Sequence, residues 1–151
     1  MARVSRLDKH LSAQTTGLIM FDALNGYLHS GNPDKEKFLA ERNILPNMQR
    51  LVDGAHSFGM TVFYPSGAHN PDGSDTVARL TDTDMELRPM TGDMKPIKPG
   101  FYAGSKEAEV APEIAPAKGD VFIPKNRWNS FHQTNLDLQL RVRGIDTIVL
   151  A

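Results

Sequence analysis

Two charged residues lie where apolar stretches end, at positions where they could do chemistry together. Asp22 directly follows the run Thr16–Phe21, and Lys125 ends the stretch that begins with Val121–Ile123. If both runs are strands of a parallel sheet, both side chains lie at its carboxyl edge, where ligands bind in such sheets. On neighbouring strands, the ammonium would hold and orient a carboxylate base and stabilise a developing anion or a nucleophile. Ordinary solvent-facing charges also occur at strand ends, so position alone leaves both interpretations open.

The six residues after Lys125, NRWNSF, have the composition of a small-molecule pocket. Trp128 and Phe131 would supply an aromatic wall, and Arg127 would supply hydrogen-bond donors to a substrate. Asn25, which follows the first apolar run, is a further candidate for binding substrate. The alternative, which spacing alone favours, is that both rings pack beneath the long loop that precedes this stretch.

The histidines and glycines predict neither a metal site nor a cofactor. His69 lies near Asp72 and Asp75 in AHNPDGSD, a candidate metal or substrate cluster, but Asn-Pro-Asp-Gly is typical of a solvated turn. Gly17 precedes the first apolar run instead of following it, so neither a dinucleotide fingerprint nor a P-loop applies. Cysteine is absent, which excludes thiolate zinc ligands and a cysteine nucleophile within these residues.

A strand, a helix and a second strand would position Asp22. The short, non-alternating run Thr16–Phe21 is typical of a strand that is buried on both faces. Asn43–Ser57 predicts a helix that is capped by Asn43 and ends before Gly59. Met60–Tyr64 is the second predicted strand, which completes a βαβ unit. The predicted apolar face of the helix consists of Ile44, Met48, Leu51, Val52 and Ala55.

The elements that would position Lys125 follow a long irregular stretch. Residues 65–118 contain seven of the ten prolines, which predicts a functional loop over the site, with at most a short helix over 74–87. A third strand is predicted at Val121–Ile123 and continues to Lys125, and a fourth at 145–151. Between them, Thr134 and Asp137 have capping-box spacing for a helix that ends at Gly144. The apolar residues of that helix are Leu136, Leu140 and Val142.

Alternating strands and helices predict an α/β fold. We expect a Rossmann-like three-layer α/β/α architecture around a mainly parallel sheet, with residues 1–151 forming a single domain. A buried parallel strand needs helices on both faces, and no helix follows the last predicted strand. We therefore expect the domain to be truncated, with C-terminal strands and helices missing.

The bulk properties are those of a soluble globular domain without a nucleic-acid or membrane partner. The apolar fraction of 40% and the charged fraction of 23% are ordinary for a globular domain. The net charge of −1 gives no electrostatic reason to expect nucleic acid or an anionic membrane as a partner. No apolar run approaches the length of a membrane span, and no apolar signal core follows Met1–His10. We expect a cytoplasmic protein.

Two stretches of the chain resemble the isochorismatase-like hydrolases. Residues 17–29, GLIMFDALNGYLH, resemble the opening motif of that family, in which an aspartate closes the first strand. Residues 119–151, GDVFIPKNRWNSFHQTNLDLQLRVRGIDTIVLA, resemble the second motif: a strand, a lysine, an aromatic-containing loop, a capped helix, a glycine and the next strand. The resemblance runs from about Thr16 to the end of the chain, and the middle loop matches loosely.

The resemblance implies a site built from Asp22, Lys125 and a cysteine beyond residue 151. In the family, a turn with a cis peptide bond follows the last strand, and the cysteine begins the next helix. Asp22 would take the thiol proton, and Lys125 would hold the thiolate and steady the aspartate. The sulfur would attack a carbonyl carbon, expel ammonia or an amine, and leave an acyl-enzyme for water to hydrolyse.

Two positions depart from the family pattern. Leu24 stands where many members have glutamine, and Pro65, Ser66 and Gly67 stand where nicotinamidases have a metal-binding Asp-x-His pattern. The second departure disfavours a nicotinamidase. The AHNPDGSD stretch looks more like that of members that act on carbamoyl, ureido or similar linear amides.

Three functional hypotheses follow from the residues and the resemblance. The first is a C–N hydrolase of a small amide, carbamoyl or ureido compound, with Asp22 and Lys125 in the site. The second is an isochorismatase-type vinyl-ether hydrolase that lacks the cysteine and uses the aspartate for acid–base chemistry. The third is an inactive relative that binds a small molecule or serves as an oligomer subunit. The resemblance also implies a homo-oligomer, either a dimer or a tetramer.

Overall fold

The computed structural model describes residues 12–75 and 100–151. Within them, four strands form one parallel sheet in the order β3-β2-β1-β4. The strands are β1 (Thr16–Ile19), β2 (Thr61–Gly67), β3 (Val121–Lys125) and β4 (Thr147–Leu150). The predicted α/β class and parallel sheet are confirmed. All four predicted strands exist: β3 has the predicted bounds, and β1, β2 and β4 have shifted bounds.

The strand β2 is longer than predicted, because Pro65 does not end it. Beyond Phe63, β2 pairs with β3 alone, through the register Pro65↔Ile123 to Gly67↔Lys125. The Pro65 carbonyl accepts a hydrogen bond from the Asp22 backbone N–H at 3.2 Å, on the β1 side. The missing N–H of Pro65 faces that same side, so the ladder between β2 and β3 loses no hydrogen bond.

Four α-helices accompany the sheet in the described residues: α1 (Asn25–Leu28), α2 (Pro33–Glu41), α3 (Ile44–Ser57) and α4 (Leu136–Arg141). The sequence did not predict α2, because it buries no residue and has no apolar periodicity to read. Its start has a good local signal instead. Asn32 accepts hydrogen bonds from the Asp34 and Lys35 backbone N–H groups, and Pro33 occupies the first helical position.

The helix α3 begins and ends where the sequence predicted, but the predicted side-chain cap at its start is not formed. Asn43 makes no side-chain capping bond; its backbone is left-handed, with φ 50°, which turns the chain directly from α2 into α3. Asparagine tolerates this conformation better than most residues. Gly59, with φ 71°, ends the helix as predicted, and Met60 N donates to Ala55 O at 2.9 Å.

The capping box predicted for α4 is not formed. Thr134 Oγ1 accepts a hydrogen bond from Leu136 N at 3.2 Å, but Asp137 pairs one turn ahead with Arg141 Nε at 2.8 Å. A carboxylate in that pair cannot reach back to the residue before the helix. Gly144, with φ 66°, follows the helix as predicted.

Apolar side chains pack on both faces of the sheet, which gives the three layers that the sequence predicted. On one face, Leu18 and Val62 pack with α3, which buries Val52 and Ala55. On the other face, the strands pack with α4; the buried residues of that cluster are Ile19, Phe63, Val121, Ile123, Leu136 and Leu140. Two members of the predicted helix faces are exposed instead: Leu51 by 44% and Val142 by 64%.

The described part of the long loop folds back onto the sheet. Val110 pairs with Leu24, and Ala111 and Ile114 are buried in the α3-side cluster. The short helix considered over 74–87 lies outside the described residues from position 76 onward. In the described ranges, no helix is long and apolar enough to cross a membrane.

Candidate active site

Asp22 and Lys125 meet over the carboxyl end of β2. Lys125 Nζ lies 2.9 Å from Asp22 Oδ1 and donates to Oδ2 at 3.1 Å. The sequence argument assumed that the strands before these two residues are neighbours. In the structure β1 and β3 are not neighbours, because β2 lies between them. Asp22 is bonded to Pro65 on one side of β2, and Lys125 is in register with Gly67 on the other. The four-carbon stem of lysine spans the strand between them.

The ion pair is largely removed from water. The Lys125 side chain is 6% exposed and that of Asp22 is 21% exposed. The Phe21 ring covers the ammonium, with its centroid 4.7 Å from Nζ. A buried ammonium needs a partner, and Asp22 supplies one while its carboxylate stays accessible to a small molecule.

Asp22 has an unusual backbone conformation. Its φ is 48°, in the left-handed region, and its carbonyl accepts a hydrogen bond from Leu24 N at 2.8 Å. Aspartate visits this region more readily than most residues, but the conformation still costs free energy. The tight turn between β1 and α1 aims the carboxylate across β2, and strain of this kind is common at functional sites.

The end of β4 lies beside the same pair. Phe21 N donates to Ala151 O at 2.8 Å, and Ala151 N donates to Ile19 O at 2.9 Å. Ala151 is therefore bonded to the residue that directly precedes Asp22. The carboxyl ends of β1, β2, β3 and β4 converge at this edge of the sheet.

The loop after Lys125 contains three of the predicted substrate-binding residues. Trp128 and Phe131 are 60% and 47% exposed, so neither ring is buried beneath the loop. Arg127 Nη1 donates to the backbone carbonyls of Asn126 at 2.7 Å and Asp75 at 3.1 Å. The three residues lie on the loop that begins at the buried ammonium, and their role in binding substrate stays a prediction.

Asn25 is 9% exposed and begins α1. Its Nδ2 donates to Lys106 O at 3.1 Å, and its backbone N–H donates to Glu109 O at 2.9 Å. These contacts fasten residues 105–109 to α1 beside Asp22. Binding of substrate by Asn25 stays a prediction.

The AHNPDGSD stretch forms a turn after β2, with Gly73 N bonded to Asn70 O at 2.9 Å. His69 Nδ1 lies 3.4 Å from Asp75 Oδ2, whereas Asp72 accepts a hydrogen bond from Ser74 N within the turn. That bond holds the pKa of the exposed Asp72 carboxyl below its usual value. Across residues 12–75 and 100–151, no group of three acidic or histidine side chains is arranged to hold a metal ion.

An aromatic stack beside the pair was missed by sequence reasoning. The rings of Tyr27 and Phe101 stack with centroids 4.5 Å apart. Burial, followed by the negative charge of Asp22, raises the pKa of the Tyr27 phenol. Phe101 fits closely against Gly26 and Gly67, where an added Cβ would come within 2.5 Å and 2.8 Å of the Phe101 side chain. The signal in the sequence was the Gly-Tyr dipeptide shortly after Asp22.

The profile of the isochorismatase domain family matches residues 16–151. An uncharacterized isochorismatase family protein of Bacillus subtilis is 32% identical over 93% of this chain and 64% of its own length. The N-carbamoylsarcosine amidase of an Arthrobacter species is 30% identical over 88% of this chain and 47% of its own length. The ureidoacrylate amidohydrolase of Agrobacterium fabrum is 26% identical over 92% of this chain and 64% of its own length. The chain thus spans about half to two thirds of these curated relatives.

Solved structures give the same result for the fold. The cysteine hydrolase of Pseudomonas syringae pv. phaseolicola superposes with a TM-score of 0.67 at 26% identity, over 92% of this chain and 59% of that one. The N-carbamoylsarcosine amidase of Thermoplasma acidophilum gives a TM-score of 0.63 at 25% identity, over 90% of this chain and 66% of that one. The profile match and the relatives cover both stretches that carry Asp22 and Lys125. The chain belongs to the isochorismatase family.

Proposed function

We propose that the full-length protein is a hydrolase that cleaves a C–N bond of a small amide, carbamoyl or ureido compound. The observation that carries this proposal is the Asp22–Lys125 pair, a carboxylate and an ammonium 2.9 Å apart at the carboxyl edge of a parallel sheet. Relatives named as an N-carbamoylsarcosine amidase and ureidoacrylate amidohydrolases favour amide hydrolysis over ether cleavage.

In the proposed reaction, the nucleophile is a cysteine thiol that the chain supplies after Ala151. A residue that follows Ala151 would enter the region of Asp22, because Ala151 O is bonded to Phe21 N. Asp22 takes the thiol proton, and the Lys125 ammonium stabilises the resulting thiolate. The sulfur attacks the carbonyl carbon, and the C–N bond breaks as ammonia or an amine leaves with a proton. Water then hydrolyses the thioester and restores the thiol.

We assign substrate binding to the side chains around the Asp22–Lys125 pair. Trp128 and Phe131 supply exposed ring faces on the loop after β3, and Arg127 supplies guanidinium N–H donors there. Asn25 borders the pair at the start of α1. By analogy with multimeric members of such enzyme families, we propose that the protein works as a homo-oligomer, a dimer or a tetramer.

The proposal is tested by ammonia release from a panel that contains N-carbamoylsarcosine, ureidoacrylate and simple primary amides. We expect release by the full-length protein and its loss in Asp22→Asn, by a factor of about 10² or more, since the amide cannot accept the thiol proton. Asp53→Asn is the matched control, because Asp53 is an exposed carboxylate on α3. Its activity should equal that of the wild type.

Three results would contradict the proposal. Full activity in Asp22→Asn would show that Asp22 is not the base. Release of pyruvate from isochorismate without ammonia release from any amide would assign the site to vinyl-ether cleavage. Binding of a panel compound without turnover, unchanged in Asp22→Asn, would assign the protein to the inactive relatives.

A further inference from the structure

One residue, Asp75, joins the loop after β2 to the loop after β3. Its Oδ1 accepts a hydrogen bond from the Asn70 backbone N–H on its own loop at 2.9 Å. Its Oδ2 accepts one from Asn126 Nδ2 on the other loop at 3.1 Å. Its backbone carbonyl accepts one from Arg127 Nη1 at 3.1 Å. Asp75 therefore contacts both of the residues that directly follow Lys125.

These contacts continue the sheet beyond its last pair of residues. Gly67 is in register with Lys125, and Ala68 N donates to Lys125 O at 2.9 Å. The next residue on the β3 side is Asn126, which the Asp75 carboxylate holds. The backbone that leaves Lys125 is thus fixed by a ladder bond and then by a side-chain bond.

The environment of Asp75 suits a charged carboxylate. Its side chain is 17% exposed, and His69 Nδ1 lies 3.4 Å from Oδ2. Burial alone would raise the pKa of Asp75, but hydrogen bonds from Asn70 and Asn126 and the nearby His69 outweigh it, so the pKa is lowered. Hydrogen bonds to a charged acceptor are about twice as strong as those between neutral groups.

The Arg127 guanidinium is oriented by the same residue. Its Nη1 donates to the Asp75 carbonyl at 3.1 Å and to the Asn126 carbonyl at 2.7 Å. Because the guanidinium is planar, two acceptors on one nitrogen fix the plane of the whole group. The first acceptor belongs to the Asp75 backbone, and the second belongs to Asn126, whose side chain the Asp75 carboxylate holds.

We propose that Asp75 is a positioning residue, which holds Asn126 and the Arg127 guanidinium at the rim of the Asp22–Lys125 site so that Arg127 binds the substrate in the correct orientation. This inference rests on the proposed function, because it concerns substrate binding at that site. Asp75 acts through Arg127 and takes no part in bond breaking.

The test compares Asp75→Asn with Asp72→Asn in the full-length protein. Asp72 lies in the same turn, but it is exposed and bonds to Ser74 within that turn. With N-carbamoylsarcosine as the probe, we expect Asp75→Asn to raise KM about tenfold and to leave kcat within about twofold. Asp72→Asn should leave both constants unchanged.

A double variant separates positioning from a general loss of stability. Adding Asp75→Asn to Arg127→Ala should raise KM no further than Arg127→Ala alone, because the Asp75 side chain would affect KM only by positioning the Arg127 guanidinium, which Arg127→Ala already removes. Asp75→Glu should restore part of the wild-type KM, since it keeps the charge. The proposal would be overturned if the two increases in KM multiplied in the double variant, or if kcat and kcat/KM fell equally in Asp75→Asn.

A second readout does not depend on activity. Hydrogen–deuterium exchange of the segment 126–131 should become faster in Asp75→Asn and stay unchanged in Asp72→Asn. Unchanged exchange in Asp75→Asn would show that Asp75 does not hold this loop. If no panel compound is hydrolysed, the proposed function fails, whereas faster exchange of 126–131 would still support the positioning of this loop by Asp75.

Discussion

At the scale of single residues, the burial of the Lys125 ammonium is the feature that most needs a physical explanation. Its side chain is 6% exposed, and desolvating an ammonium costs several kcal/mol unless a partner compensates it. Asp22 compensates the charge across β2, and the Phe21 ring covers it. A hydrophobic side chain of similar volume would fill this place at less cost, so we infer that the pair is retained for chemistry.

The lowered pKa of Asp75 predicts a pH dependence of stability. A carboxyl with a lowered folded pKa stabilises the fold above its unfolded pKa, and this contribution is lost as the pH falls through the folded pKa. At pH values above 3.8, the ordinary pKa of an aspartate, the unfolding free energy of the wild type should therefore exceed that of Asp75→Asn by a constant amount. The difference should shrink as the pH falls below that value. Urea unfolding of both proteins across this range measures it, and a difference that grows towards acid would contradict the assignment.

The sequence nominated Asp22 and Lys125 as a pair, but it did not predict how the two side chains meet. The position of Asp22 and Lys125 after apolar runs was sufficient to nominate both. Their contact across β2 depends on strand order and on the reach of the lysine stem, which no local pattern encodes. Asp75 was seen as part of a solvated turn, because its partners Asn126 and Arg127 lie 51 and 52 residues away in the chain.

At the scale of elements, Asp120 fastens the amino edge of the sheet, opposite the candidate site. Its Oδ1 accepts a hydrogen bond from Val62 N at 3.1 Å, where β2 begins. Its Oδ2 accepts one from Ala117 N at 2.8 Å and lies 2.9 Å from His56 Nε2 near the end of α3. The Asp120 side chain is 3% exposed. The start of β2, the start of β3 and the end of α3 are therefore held together by one buried carboxylate.

We expect Asp120→Ala to lower the free energy of unfolding by about 2–4 kcal/mol, because it leaves two backbone N–H groups and His56 without their acceptor. Urea denaturation measures the loss. Asp53→Ala on the exposed side of α3 is the control and should change stability by less than about 0.5 kcal/mol. Equal stability of the two variants would contradict this role. Because Asp120 lies at the opposite edge, KM should stay at the wild-type value.

The fit of Phe101 against glycine gives a second prediction for the elements. In Gly67→Ala, the new Cβ would lie 2.8 Å from Phe101 Cβ, an atom that cannot move without its backbone. We expect a loss of about 1–3 kcal/mol in unfolding free energy. Gly54→Ala on α3 meets nothing within 4 Å and should stabilise the helix by about 0.5–1 kcal/mol. Destabilisation by Gly54→Ala, or none by Gly67→Ala, would show that the close approach to Phe101 is not the cause.

Element types were predicted from periodicity, but the capping contacts at the helix starts were not. The apolar spacing identified α3 and α4, and Gly59 and Gly144, both with positive φ, marked where the two helices end. Asn43 and Thr134 were expected to cap by composition, but the cap depends on how the preceding segment enters the helix. That path is set by tertiary packing: α2 leads directly into Asn43, and Thr134 is bonded to Ser130.

At the scale of the whole molecule, the sheet order brings the functional groups together. The order β3-β2-β1-β4 places β2 between β1, which leads to Asp22, and β3, which ends at Lys125. It also places the end of β4 next to β1, so Ala151 is hydrogen-bonded to Phe21, the residue before Asp22. The chain spans 64% of the length of its Bacillus subtilis relative. The sequence predicted the parallel α/β class from the βαβ pattern, but it could not predict this order, which depends on contacts between distant segments.

We propose that Asp22 activates a cysteine thiol that would lie beside it after Ala151. Limiting iodoacetamide labelling of the full-length protein, followed by peptide mass mapping, tests this role of Asp22. We expect a fast-reacting cysteine in the segment that directly follows Ala151, and labelling slower by about tenfold in Asp22→Asn, because the thiol would lose its base. The absence of a cysteine from that segment, or equal labelling rates in the two proteins, would contradict the claim.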